Sequence, residues 1–218
     1  MDLKELKSLV KKGEGANLEF KLKASHPEKI VREIVAFANS NGGTLLIGVG
    51  DDRSIPGVKF ADEEEYILEK AIEKYCTPAI EYRLQRLTVI AEREVLIYTI
   101  PPSIQKPHYV IHDFENNLGK AYVRVLDRSV QASKEMREVL KGERKQRNIR
   151  FTYGEKEHKL MQYLATNQVI TVDQFSQAAH IPRPIASRTL VLLVLANVLK
   201  ILPNEVQDYF TVAGEAWQ

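Results

Sequence analysis

The 218-residue chain is 44% hydrophobic and 28% charged, with a formal net charge of +2, the profile of an ordinary globular protein of one large or two small domains. Cys76 is the only cysteine, which excludes an internal disulfide and a Cys-rich zinc site. No apolar run reaches the roughly 18–20 residues of a membrane span, and the first ten residues carry charges throughout, unlike a signal peptide. A cytoplasmic location without a membrane partner is the resulting expectation, and so small a net charge does not by itself demand a nucleic-acid partner.

Residues 2–12 predict a short amphipathic helix with Leu3, Leu6, Leu9 and Val10 on one side, stopped by Gly13 and Gly15. In residues 14–23, Leu18, Phe20 and Leu22 alternate with Glu19, Lys21 and Lys23, the pattern of a half-buried strand. Pro27 suits the first turn of a helix running to about Asn39, with Ile30, Ile34, Phe37 and Ala38 as its apolar face. The chain then turns through Asn39, Asn41, Gly42 and Gly43 into the almost wholly apolar run Thr44–Val49. That run reads as a central strand covered on both faces, and it exits through Gly48, Gly50, Asp51 and Asp52. Asp62 with Glu65 is a candidate capping pair for a helix that ends before Pro78.

Residues 80–100 read as a hairpin turning near Glu92–Glu94. A second hairpin pairs HYVIHDF with KAYVRVL across ENNLG, and a helix from about Ser133 to Lys141 closes an α+β domain at residues 1–141. Residues 141–150 hold five basic residues and one acidic one. This is a basic linker (142–152) or a solvated helix end. Residues 153–218 read as three helices and a hairpin turning at Pro203–Asn204, the order of a winged helix-turn-helix domain.

The blocks Glu14, LEFK (18–21), AFANSNGGTLLIGVGDD (36–52), Gly57, PPSIQKPHY (101–109), AYVRV (121–125) and the helix start at Ala132–Glu135 resemble the AlbA-like Schlafen domain. That family is also catalogued under divergent AAA ATP-binding and DNA-binding headings. The resemblance covers roughly residues 10–141. It implies an α/β Schlafen domain, here followed by a winged helix, as in bacterial members described as transcriptional regulators. It also implies a candidate nuclease triad: Glu14 and Glu19, five residues apart, with Asp51 at the end of the central strand. Three converging carboxylates would be relieved by Mg²⁺ or Mn²⁺, which would polarise a phosphate oxygen. The structural alternative is that Glu19 pairs with Lys21 or Arg32.

Asn39, Asn41, Gly42 and Gly43 form the turn behind the ATP-binding label, since amides around glycines can cradle phosphate. No GxxxxGK[ST] occurs in the chain, so ATP hydrolysis is not expected, and close approach of helix and strand explains the glycines equally well. Lys21, Lys23, Lys106, Arg124 and Arg128 are candidate phosphate contacts, with Arg124 in a strand beside that of Lys21 and Lys23. Arg144, Lys145 and Arg147 of the linker would add to them. Arg183, Ser187 and Arg188 lie near the start of the presumptive recognition helix. Residues 190–202 are unusually apolar, which points to burial in a homodimer. The five histidines are scattered and read as surface or internally satisfied residues. The resulting expectation is nucleic-acid binding, DNA before RNA, as a transcriptional regulator. The alternatives are a metal-dependent endoribonuclease and a protein-interaction module in defence or stress.

Overall fold

The computed structural model describes residues 1–144 and 152–214, and the chain forms two compact units, Met1–Gln131 and Ala132–Gln218. The first unit is built on a four-stranded sheet of order β1-β2-β5-β4, from Leu18–Lys21, Gly43–Ile47, Arg93–Ile100 and Arg83–Ile90 respectively. β1 and β2 run parallel, joined through helix α2 (Pro27–Asn39), with Leu18 opposite Thr44 and Lys21 opposite Ile47. β2 and β5 are antiparallel, as are β5 and β4. The run from Thr44 is therefore central, with a neighbour on each side.

Both faces of that sheet are covered, which is why the run is apolar throughout. On one face, Leu18, Phe20, Leu46, Val95 and Ile97 pack against Leu6 and Val10 of helix α1 (Leu3–Lys12). On the other, Leu45, Ile47, Leu96, Tyr98 and Ile100 meet α2 and helix α3 (Ala61–Tyr75). Each fully buried Leu or Ile contributes about 1.5–3 kcal/mol of transfer free energy. α2 is buried nearly all round toward its C-terminal end, from Ile34 through Asn39. α3 departs from the expected capping: Asp62 and Glu65 do not cap its start. They bind Arg86 across the sheet edge instead, at 2.6 and 2.7 Å.

The segment expected as one second hairpin divides in two. β6 (Tyr109–Asp113) pairs with β7 (Leu118–Lys120) and with the short β3 (Cys76–Thr77). The chain then breaks at buried Ala121, and β8 (Tyr122–Val125) pairs with β9 (Arg128–Gln131). β8 and β9 form a sheet of their own, so β8 is not a neighbour of β1. The tight turn between them places Leu126 at φ 56°, a conformation that a leucine does not advertise in a sequence.

In the second unit, helix α4 (Lys134–Arg144) starts where Ser133 Oγ accepts from Met136 N–H at 2.9 Å. It packs on α7 (Arg183–Leu195), so this helix belongs with the C-terminal elements by its contacts. α5 (Glu155–Asn167) and α6 (Val172–Ala179) precede α7, and the antiparallel β10 (Leu199–Leu202) and β11 (Tyr209–Val212) follow it. Thr171 caps α6 reciprocally with Gln174. Ile170 bridges to Phe210. The apolar run of α7 is accounted for within this unit, because α4, α6 and β10 all pack against the helix. Among the described residues, no helix is long and apolar enough to cross a membrane.

Candidate functional site

Glu14, Glu19 and Asp51 converge on the edge of the sheet at β1, yet their surroundings differ sharply. β1 turns Leu18 and Phe20 toward α1, so Glu19 lies on the opposite face. Its side chain is 8% exposed, with Oε1 on Lys21 Nζ and Oε2 at 3.1 Å from Arg124 Nη1. Arg124, from β8, has a side chain only 1% exposed and lies over the Phe37 ring at 4.9 Å. Its guanidinium also donates to Glu33 Oε2 at 2.5 Å and to Gly15 O at 2.7 Å. Ser129 Oγ donates to the same Glu33 oxygen. Two carboxylates and two cations thus neutralise one another in a mostly buried cluster.

Glu14 follows α1 after Gly13 and, among the described residues, makes no ion pair of that kind. Its Oε1 accepts from Phe20 N–H at 2.8 Å. Burial of the carboxyl pushes its pKa above the ordinary value, the Phe20 hydrogen bond and the nearby Lys21 charge oppose this, and the charges of Glu19 and Asp51 add to the rise. Asp51 is exposed in the turn after β2. Glu14 therefore feels the charge of both other acids. However, among the described residues no group of three or more His, Cys, Asp or Glu is placed to hold a metal ion. The donor chemistry explains this, since Glu19 already compensates Lys21 and Arg124. The three-carboxylate cation site expected from the family spacing does not fit this arrangement, and no reaction step follows from it.

The glycine turn serves packing. Asn39 is 1% exposed, and its amide nitrogen donates to His108 O and Tyr122 O, both at 2.9 Å, while its oxygen accepts from His108 N–H at 2.7 Å. It ties the end of α2 to β6 and β8 and is closed to a phosphate. The N–H groups of Ser40 and Gly42 both point to Phe37 O, so the turn presents no nest of open amides. A Cβ on Gly43 would come within 2.3 Å of the Phe37 ring, and Gly42 sits at φ 75° against Ile100 O. Asn41 alone of the four is exposed.

The basic candidates separate by environment. Arg124 is corrected from a phosphate contact to a buried structural cation, because its side chain is 1% exposed and its two terminal nitrogens are spent on Glu33, Glu19 and Gly15. Lys21 is largely committed to Glu19 and to Phe20 O at 2.8 Å. Lys23, just past β1, and Arg128 are exposed, and Lys106 is half-buried. Arg144 is exposed at the end of α4, while Lys145 and Arg147 lie outside the described residues. On α7, Ser187 Oγ donates to Glu135 Oε1 of α4 at 2.6 Å, which removes it from the readout face. Arg183 pairs with Asp173 at 2.6 Å on the surface, and Arg188 is exposed. His108 is the buried, satisfied histidine: Nδ1–H donates to Pro78 O at 2.8 Å and Nε2 meets Ser103 Oγ at 2.7 Å. A carbonyl can only accept, so the proton sits on Nδ1.

Sequence reasoning missed Glu33 and Ser129, since each reads as an ordinary surface residue of a helix or a short strand. It also passed over the lysines of α1, whose spacing on one helix face was available as a signal.

No curated protein matches the chain. Among the solved structures similar to it are the following two. One is the N-terminal domain of a Nitrosomonas europaea protein named as related to the ATP-dependent DNA helicase RecG. It is 22% identical with a TM-score of 0.43, over 57% of this chain and 89% of that one. The other is the DIP2311 protein of Corynebacterium diphtheriae, 17% identical with a TM-score of 0.40, over 56% of this chain and only 26% of that one. The Schlafen, AlbA_2 family matches residues 14–133, a span from the first carboxylate of the site through β9, and on that match the chain belongs to the Schlafen AlbA_2 family.

Proposed function

We propose that the protein binds nucleic acid, duplex DNA before RNA, and acts as a DNA-binding transcriptional regulator through its C-terminal unit. The observation that carries this reading is the run α6, tight turn, α7 and β10–β11 hairpin, with Arg183 and Arg188 exposed on the first turns of α7. His180 ends α6 in the left-handed conformation, which gives the short turn that a helix-turn-helix needs. Read as a winged helix, the N-terminal residues of α7 enter the major groove, and a homodimer supplies two half-site readers. Membership of the Schlafen AlbA_2 family, with its DNA-binding heading, agrees with this.

Arg188→Ala should weaken binding of duplex DNA about 5- to 150-fold, the range for one good base or phosphate contact of about 1–3 kcal/mol. The measurement is a mobility shift with labelled duplex and structured RNA, each with Mn²⁺ or EDTA. Intact retarded DNA that is insensitive to EDTA supports the regulator. Absence of any retarded species at low salt sinks it. Shortened products that need Mn²⁺ and vanish in Glu19→Ala would favour the endoribonuclease at Glu14, Glu19 and Asp51. That is the weaker reading while Lys21 and Arg124 hold Glu19. A protein-interaction module would show neither result. ATP turnover forms no part of the proposal, because the glycine turn is closed by its own carbonyls.

A further inference from the structure

We propose that the exposed face of α1 is a lysine ridge that takes the sugar-phosphate backbone of a nucleic acid, a second contact surface that rests on the nucleic-acid-binding reading and extends it. The apolar side of α1 is already used: Leu6 and Val10 are buried against the sheet, with Leu3 and Leu9 packed beside them. At about 100° per residue, Lys4, Lys7 and Lys11 fall within about 60° of one another around the helix axis, and Lys12 adjoins them. All four are exposed, and among the described residues none is in an ion pair with an acid.

The only acid within α1 is Glu5. Its carboxylate is turned to the helix start, where it accepts Asp2 N–H at 2.7 Å and lies 3.9 Å from the terminal amine. The ridge is therefore uncompensated. Folding does not ask for it: cations are favoured near the C-terminal end of a helix, which suits Lys11 and Lys12, but Lys4 sits in the first turn where the dipole disfavours it. A polyanion supplies the missing partner. Lys4 to Lys11 spans about 10 Å at about 1.5 Å per residue, the axial reach of about three phosphates of one strand. Arg53 continues the row, since it is exposed and its Nη1 donates to Lys11 O at 3.3 Å. The ridge thus leads from Lys4 toward the turn that carries Asp51 and the loop that carries Glu14. A membrane surface is the less suited polyanion, because an interfacial helix inserts an apolar face and that of α1 is buried in the protein.

The test uses the full chain and a triple variant, Lys4→Gln, Lys7→Gln and Lys11→Gln, because Gln matches Lys closely as a helix former. Anisotropy of a labelled duplex of about twenty base pairs is followed from about 50 to 200 mM salt. Loss of three contacts should make the log–log salt slope shallower by about 2.7, with affinity at about 100 mM salt at least tenfold weaker. The Lys→Arg triple should keep wild-type affinity, and unchanged melting of each variant shows that the fold is intact. A Gln triple with wild-type slope and affinity overturns the ridge and leaves the function proposed above standing. A wild-type chain that binds neither duplex nor RNA overturns both. Lysine-dependent capture by vesicles rich in anionic lipid, with no duplex binding, overturns the ridge as a nucleic-acid surface.

Discussion

Replacing Arg124 by Met tests whether its charge serves the fold or a ligand. The guanidinium is 1% exposed and is shared by Glu33, Glu19 and Gly15 O. Met keeps much of the apolar stem over Phe37 but leaves Glu19 and Glu33, 8% and 19% exposed, facing each other without the shared cation. Breaking a buried pair by removing one partner costs about 3–5 kcal/mol, because the remaining charge stays desolvated. Against a total stability of about 5–15 kcal/mol, that is a large fraction. In urea unfolding followed by far-UV circular dichroism, the midpoint should fall in proportion, with an unchanged slope. Arg128→Ala, at an exposed position of the neighbouring strand, should cost below about 1 kcal/mol. The double variant Arg124→Met with Glu33→Gln should recover part of the loss, since it removes one of the stranded charges. If Arg124 were instead a phosphate contact, the variant would keep its urea midpoint and lose about 0.9 from the salt slope of DNA binding. That pair of results would refute the structural assignment.

Gly43→Ala should destabilise the first unit by about 1–3 kcal/mol, the usual cost of overpacking, since the new Cβ meets the buried Phe37 ring at 2.3 Å. Unchanged melting of this variant would reopen the turn as a ligand loop. Glu14 supplies a pH dependence of known sign. Its pKa is raised in the fold, so the folded state holds its proton more tightly than the unfolded one. Its contribution to stability is full below the ordinary value of 4.5 and is lost as pH rises through the raised value. Glu14→Gln cannot ionise, so the variant should gain on wild type as pH is raised from about 4 to 7. A difference in urea midpoint that does not vary with pH over that range would contradict the burial of this carboxyl.

The parts of the fold that were legible in the sequence are those set by local pattern. Alternation at Leu18 and Phe20, the apolar run from Thr44 and Pro27 at a helix start each report a neighbour within a few residues. The β8–β9 hairpin was not legible, because its turn places Leu126 at positive φ with no Gly or Asn to mark it. Arg124 was misread for a related reason. In YVRV an arginine between two valines reads as the solvent face of a strand, and its acceptor Glu33 lies 91 residues away. Nothing in the local sequence announces that pairing.

The same distinction governs the candidate site. Glu14 and Glu19 keep the family's five-residue spacing, and spacing is all that a sequence can show. The fold then separates them. Glu14 is pushed toward its protonated form by burial that the Lys21 charge only partly offsets, whereas Glu19 is held between Lys21 and Arg124. A carboxylate that already balances a guanidinium has little charge left to offer a metal, and withdrawing it would strand Arg124 in the core at the cost given above. Glu14 and Asp51 stand outside that ion-pair cluster, and two carboxylates are one fewer than the expected cation site requires.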